Sequence, residues 1–224
     1  MTTLEALQAA NPQYQILTVD DPSFRQFGVC YPQYDLTTIK QAMASIPVKD
    51  QNVYVTSNPQ LEAIPMMQAI GRDVFAGMAI EAGECTGHTS DFSAIEYHQG
   101  SEVNITLTDV VMVLGKRADL EPNQQFDPYQ DAKLFYIPAG QVVEFYSDTL
   151  HYSPIQVTAA GFKVIVMLLA GSNEPFTQPL VTDNHRIVKQ NKFQLVHASR
   201  TDKIEQGIQV GVTGELIKIK SISI

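Results

Sequence analysis

The chain of 224 residues has little cysteine and no long apolar run. Its two cysteines, Cys30 and Cys85, are far apart and form no Cys-x-x-Cys pair, which excludes a disulfide framework and predicts reduced, buried thiols. No segment approaches the roughly twenty apolar residues of a membrane-spanning helix. The first residues lack the basic and apolar parts of a signal peptide. We therefore expect a cytoplasmic protein without a membrane partner.

Basic residues are also scarce. The 15 lysines and arginines are outnumbered by 24 aspartates and glutamates, which gives a net charge of -9. A negative surface repels the phosphates of nucleic acids and of anionic membranes. We therefore expect no nucleic-acid partner, and the small-molecule substrate that we expect follows from the motifs below.

No internal repeat, low-complexity block or long linker divides the sequence. We expect a single domain over residues 1–224. Residues 1–73 would form a mixed α/β elaboration, residues 74–170 the β core, and residues 171–224 a C-terminal extension of strands.

Two helical patterns lie in the N-terminal third, at residues 36–43 and 60–67. Asp35 and Asn58 precede them, and both residue types cap the free amides of a first helical turn. Pro59 also suits the first turn. We expect these helices to lie on the periphery of the β core.

From residue 74 onward the pattern becomes that of short strands broken by glycine, proline and aspartate, which is typical of a barrel or a sandwich. The apolar runs at residues 110–114 and 164–168 indicate strands buried on both faces. Residues 215–222 alternate and predict a half-buried strand that extends the sheet or forms a homodimer edge. The predicted strands are 74–80, 92–98, 102–107, 110–115, 133–137, 142–146, 153–157 and 162–169.

Four residues form a candidate metal site. Glu96 and His98 are two apart, so on a strand they project to the same side. Residues 99–101 allow a turn that returns Glu102 beside them. Further along, a strand at 142–146 leads to His151, which completes a set of two imidazoles and two carboxylates.

Such mixed nitrogen and oxygen ligands suit a divalent transition metal, namely Zn, Mn, Fe, Co or Ni, better than Ca. The sequence does not choose among these ions. Glu96 is either a ligand or the catalytic acid/base, and both roles stay open.

Three further residues are candidates for roles around this site. His88 follows Gly87 and is a candidate substrate-binding residue. Glu144 would be a second catalytic base if its face of the strand points into the core, and a surface charge otherwise. Cys85 lies near His88, and a Cys/His dyad is the minor alternative.

These spacings resemble the cupin superfamily. In its first motif, His98 and Glu102 fall at the second His and the Glu, Glu96 replaces the first His, and Asp109 replaces a turn Gly. In its second motif only His151 is retained. The resemblance implies a mainly β fold built on a cupin-type β-barrel, a double-stranded β-helix or jelly roll, with a few peripheral helices.

About two thirds of the chain also resembles an uncharacterised bacterial cupin family, a domain of unknown function. More distantly, the segments around His98 and His151 are similar to ureidoglycolate lyase, although Glu102 stands where that family has Gln. The segments shared with the uncharacterised family are Gly87-His88, Glu96-Tyr97-His98, Ser101-Glu102-Val103-Asn104-Ile105, Thr149-Leu150-His151-Tyr152 and Gly161-Phe162-Lys163.

The cupin resemblance implies a metal-dependent enzyme that acts on a small hydroxylated or carboxylated metabolite. A sugar isomerase of carbohydrate metabolism fits, because a chelated hydroxycarbonyl can lose a proton to a carboxylate. A lyase related to ureidoglycolate lyase would use the same residues. The non-catalytic alternative is a sugar-binding cupin, which should keep its ligand when Glu102 is removed.

Overall fold

A computed structural model describes residues 1–223, and these residues form a mainly β protein with seventeen strands. The strands are β1 (Ile16–Thr18), β2 (Gly28–Cys30), β3 (Val53–Tyr54), β4 (Ile80–Gly87), β5 (Asp91–Phe92), β6 (Ala94–Tyr97), β7 (Glu102–Thr106), β8 (Val110–Lys116), β9 (Lys133–Ile137), β10 (Val142–Phe145), β11 (Thr149–Leu150), β12 (Ile155–Gln156), β13 (Phe162–Leu169), β14 (Ile187–Lys189), β15 (Lys192–His197), β16 (Val210–Val212) and β17 (Ile217–Lys218).

Seven α-helices are short, and none in the described range is long and apolar enough to cross a bilayer. A 3₁₀ helix spans Pro22–Gln26. The α-helices are α1 (Thr3–Ala10), α2 (Thr37–Ala44), α3 (Pro59–Glu62), α4 (Pro65–Val74), α5 (Arg117–Leu120), α6 (Pro128–Asp131) and α7 (Thr201–Ile204).

Two large sheets form the centre of the molecule. The six-stranded sheet has the order β2-β10-β7-β13-β4-β3, with antiparallel neighbours throughout. The five-stranded sheet has the order β1-β9-β8-β11, and β12 also pairs with β8. A smaller sheet joins β6 to β14, β15 and β16, and β17 pairs with β5. The C-terminal strands therefore reach back to the middle of the chain.

The two large sheets pack face to face through apolar side chains. Met112 and Phe135 of the five-stranded sheet meet Phe145, Phe162 and Val164 of the six-stranded sheet in one buried cluster. The outer face of the six-stranded sheet is covered by α2 and α4. The outer face of the five-stranded sheet packs against α1, β6, β15 and β17. The molecule is thus layered, with the large sheets as its inner layers.

The prediction of a mainly β fold is confirmed, but the ladders among residues 1–223 do not close into the predicted barrel. Each end of the six-stranded sheet is a short edge strand, β2 with three residues and β3 with two, so hydrogen bonding stops there. Two facing open sheets take the place of a ring of strands.

The helix predictions are confirmed with one change. The pattern at 60–67 is divided between α3 and α4, because Pro65 has no amide hydrogen and begins a new helix instead of continuing the first. Asn58 caps α3 as expected, and the Asp35 carboxylate accepts a hydrogen bond from the Thr37 amide. Both α2 and α4 lie outside the sheets, as predicted.

One strand prediction is wrong. Residues 74–80 form the end of α4 and a turn, and β4 begins only at Ile80. Ala76 and Gly77 have φ values of 51° and 78°, a left-handed backbone that ends the helix and is incompatible with a strand. Both fully apolar runs, by contrast, lie buried in β8 and β13.

We expect Phe135→Ala to lower the free energy of unfolding by about 4 kcal/mol, because it leaves a cavity between the two large sheets. The Phe135 side chain is fully buried, and its ring contacts the rings of Phe24 and Phe27 with centroids 5.1 and 5.5 Å away. Urea denaturation measures the change.

Leu180→Ala is the control, because Leu180 is 50% exposed and its loss should change stability by less than about 0.5 kcal/mol. Equal losses in the two variants would contradict the packing described here.

Candidate metal centre

A single antiparallel bridge brings Glu96 beside His151. The Glu96 amide donates to the His151 carbonyl at 2.7 Å, and the His151 amide donates to the Glu96 carbonyl at 3.0 Å. Residues paired in this way direct their side chains to the same face. Strand alternation places His98 on that face as well. Three of the four predicted ligands are therefore adjacent.

Glu102 completes the group from the first position of β7. Gly100, with φ of 100°, turns the chain between His98 and Glu102. Glu102 Oε2 lies 3.2 Å from His151 Nε2 and 3.5 Å from His98 Nε2. Its Oε1 accepts a hydrogen bond from the side-chain Nδ2 of Asn104 at 2.7 Å. The structure thus brings all four predicted ligands together.

Backbone carbonyls orient both imidazoles. His98 Nδ1 lies 2.6 Å from the Asn191 carbonyl oxygen, and His151 Nδ1 lies 3.0 Å from the Thr149 carbonyl oxygen. A carbonyl only accepts, so each Nδ1 carries the proton. Both Nε2 atoms consequently face the centre of the group, in the arrangement common for metal-binding histidines.

Asn191 also holds the hairpin that carries His98. It lies in the tight turn between β14 and β15 with φ of 52°, a left-handed conformation that asparagine tolerates. Its side chain accepts from the Gln99 amide at 2.7 Å and donates to Ser172 Oγ at 2.8 Å. This turn therefore fixes the position of His98 from a distant part of the chain.

Lys192 forms a buried ion pair with Glu96. Its Nζ contacts Glu96 Oε2, and the two side chains are only 15% and 14% exposed. Gln194 Nε2 donates to the same oxygen at 3.3 Å. Both residues lie on β15, which is paired with β6. Glu96 therefore has its own cation, whereas Glu102 faces the histidines.

Charges within the group stabilise one another. Burial opposes ionisation of His151, but the adjacent Glu102 carboxylate outweighs it and raises the pKa of His151 to about 9. Burial would raise the pKa of Glu102, but the charge of His151 holds it well below its ordinary value. The pKa of Glu96 is likewise lowered against the effect of burial, chiefly by Lys192. Both carboxylates are therefore ionised at neutral pH.

The residues fit a divalent transition metal. Glu96, His98 and His151 each offer a ligand atom, and these atoms lie within 4.8 Å of one another. His98 Nε2 is buried without a hydrogen-bond partner among residues 1–223, so its lone pair faces the group unused. Two imidazole nitrogens and carboxylate oxygens suit the ions named from the sequence, and an ion that binds here must displace the Nε2 proton of His151.

The group lies beside a cavity with a volume of about 780 Å³. Glu96, Glu102 and Asn104 line it. His88 is exposed at its wall, with Nδ1 3.2 Å from Gln156 Oε1. A cavity of this size accommodates a small metabolite.

Glu144 is not brought to the group. It pairs with Val103 across the sheet, whereas Glu102 pairs with Phe145, so Glu144 occupies the opposite face. Its carboxylate accepts hydrogen bonds from Tyr31 at 2.5 Å and Ser101 at 2.6 Å. Glu144 therefore lies on the outer face of the sheet, whereas its predicted role as a base required the face that points into the core.

Cys85 lines the cavity, but its chemistry argues against the Cys/His alternative. Burial, together with the nearby Glu102 and Glu96 carboxylates, raises the pKa of the Cys85 thiol to about 12. A thiol in this state is not a nucleophile at neutral pH.

The sequence matches the family described as a domain of unknown function (DUF4867) over residues 16–217. The chain belongs to this family. The match covers all four residues of the candidate metal centre and the turn that carries Asn191.

No curated protein matches the sequence. Among solved structures, a variant of oxalate decarboxylase from B. subtilis is similar with a TM-score of 0.28 and 9% identity. That match covers 79% of this chain and 40% of the decarboxylase chain. A likeness this slight assigns neither a fold nor an activity, and the similarity to ureidoglycolate lyase gains no support.

Sequence reasoning missed the residues that surround the four predicted ligands. Asn104 had a local signal, because it is two positions after Glu102 on a strand and so shares its face. Asn191, Lys192 and Gln194 had none, since they reach the site only through the pairing of β6 with β15.

We expect Lys192→Met to lower the stability of the chelator-treated protein by about 3 kcal/mol, because the buried Glu96 carboxylate loses its cation. Adding Glu96→Gln should recover at least about 1 kcal/mol, since it removes the uncompensated charge. Thermal and urea denaturation measure both changes.

Lys116→Met is the matched control. Lys116 pairs with Asp148, whose side chain is 57% exposed, so its loss should cost less than about 1 kcal/mol. A Lys192→Met loss no larger than that of the control would show that the buried pair is not important for stability.

Proposed function

We propose that this protein is a metal-dependent enzyme that acts on a small hydroxylated or carboxylated metabolite. The observation that carries the proposal is the orientation of His98 and His151. Both Nε2 atoms point toward the Glu102 carboxylate, which lies within 3.5 Å of each. The group lies beside a cavity large enough for a substrate.

His98, His151 and Glu102 would hold the ion, with Glu96 as a fourth ligand or a catalytic group. A divalent ion at this position would polarise a carbonyl or hydroxyl oxygen of the substrate. The carbonyls of Asn191 and Thr149 keep both imidazoles in the required tautomer, and Asn104 keeps Glu102 from rotating.

Glu96 is the residue that would move a proton. Both carboxylates line the cavity, but Glu102 Oε2 faces the two histidines, whereas Glu96 contacts Lys192. A carboxylate that is ionised and faces the substrate can accept a proton from a carbon or a hydroxyl group. We propose a sugar isomerase of the aldose–ketose type as the first reaction to test, because it needs one base and one polarised oxygen.

The fold that we propose is a variant of the cupin jelly roll. Two observations support it, the spacing of the ligands along the sequence and the position of the group at the inner face of two facing sheets. This kinship would place the ion where cupins hold theirs, on strands of the core.

We expect the protein purified without chelators or a metal-binding tag to contain about one transition-metal ion per chain. His98→Ala and His151→Ala should each remove it, because each deletes a ligand nitrogen, while circular dichroism stays unchanged. Elemental analysis by mass spectrometry measures the metal.

His197→Ala is the control, since His197 bonds to Ser199 Oγ at 2.9 Å and does not line the cavity. It should retain the metal. Metal that persists in both ligand variants, or wild-type protein that takes up no added ion, would overturn the proposal.

Metal-loaded protein is then assayed for interconversion of aldoses and ketoses and for cleavage of hydroxyacids. Turnover that Glu96→Gln abolishes, with the metal retained, would support its role in proton transfer. Sugar binding that survives both Glu102→Gln and removal of the metal would favour a non-catalytic binding protein instead.

A further inference from the structure

The cavity beside the metal centre is unusually basic for this acidic chain. The chain carries 15 basic and 24 acidic residues, yet four basic side chains line the cavity against three carboxylates. Two of those carboxylates, Glu96 and Glu102, belong to the metal centre. The basic side chains are Lys189, Lys192, Arg200 and Lys203, all from the segment that includes β14, β15 and α7.

Two of the four basic groups already have partners. Lys192 is paired with Glu96. Arg200 binds the Asp202 carboxylate through Nε and Nη2, both at 2.8 Å, and its Nη1 lies 3.2 Å from the Tyr152 hydroxyl. Lys192 and Arg200 therefore form part of the cavity wall, and their charges are already paired.

Lys189 and Lys203 differ, because neither forms an ion pair with any described residue. Lys203 is partly buried, and burial followed by the charge of Arg200 lowers its pKa, with Lys192 and Lys189 adding to the effect. Lys189 and Lys203 thus add two positive charges to this wall that no ion pair with a described residue balances.

We propose that Lys189 and Lys203 bind an anionic group of the substrate, a carboxylate or a phosphate, while the metal centre holds its reacting end. Only the role of the metal centre in this inference rests on the proposed function. Charge-assisted hydrogen bonds from ammonium groups are the usual means of holding such anions.

A small anion fits this wall better than a macromolecule does. The lysines line a concave space of about 780 Å³, and pockets that bind small ligands have such volumes. The net charge of -9 opposes the approach of a polyanion such as nucleic acid. The substrate class is therefore a small hydroxylated metabolite with a negatively charged end.

The experiment compares three probes of the same carbon skeleton, glycerol, glycerate and glycerol 3-phosphate, by titration calorimetry on the metal-loaded protein. We expect at least one of the two anions to bind more tightly than glycerol. The double variant Lys189→Gln/Lys203→Gln should lower the affinity for that anion at least about tenfold. The double variant Lys189→Arg/Lys203→Arg, which keeps both charges, should restore the affinity.

The control is Lys40→Gln/Lys133→Gln, which makes the same change in net charge at two exposed lysines outside the cavity. It should bind the anions like the wild type. Loss for glycerol 3-phosphate alone identifies a phosphate, and loss for glycerate alone identifies a carboxylate.

Anion affinity equal to that of glycerol, or equal weakening in the cavity variant and its control, would overturn this inference. Metal content is measured on the same samples, so the two proposals fail separately. Bound metal without anion selectivity contradicts only the lysine site. Anion selectivity that depends on Lys189 and Lys203 in protein that takes up no metal contradicts only the metal centre.

Discussion

The Glu102 carboxylate is a negative charge in the protein interior, and much of the structure around it compensates that charge. An uncompensated buried ion costs several kcal/mol. Here two imidazoles and one amide surround it, and each imidazole is in turn held by a backbone carbonyl. One carbonyl belongs to strand β11 and the other to the turn before β15, so both of these and the hairpin of β6 and β7 must meet at one point.

The strands that support this charge also supply the apolar core. Along β7, Val103 and Ile105 face the helices, whereas Glu102 and Asn104 face inward. On the neighbouring strands the inward positions opposite Asn104 are apolar, Val143 on β10 and Val166 on β13. The polar centre is therefore set directly against the core between the two sheets, where tight packing restricts its movement.

Local patterns were enough for much of the fold. Apolar runs predicted β8 and β13, because a strand buried on both faces has no polar alternation. A capping box at Thr2 and Glu5, an available local signal, would also have predicted α1. The strand prediction for residues 74–80 was wrong because two residues with left-handed backbone end α4 where the apolar pattern favours a strand.

That Glu96, His98 and Glu102 lie close together was predictable for the same local reason, and the surroundings of the candidate site were not. Glu96, His98 and Glu102 lie within one hairpin, so their spacing in the sequence already predicts that their side chains lie on one face. The sequence could not indicate that β6 pairs with β15, since strand partners distant in sequence are chosen by packing of the whole molecule. The cation that balances Glu96 became visible only with that pairing.

The turn that carries Asn191 also determines when the site can form. During synthesis the His98 ring has no acceptor until residue 191 has left the ribosome, long after the hairpin of β6 and β7 has been made. Contacts between such distant segments form slowly because a large loop must close first. An ion bound here would thus enter a nearly finished fold and lock it, in contrast to zinc fingers, whose metal directs folding from the start.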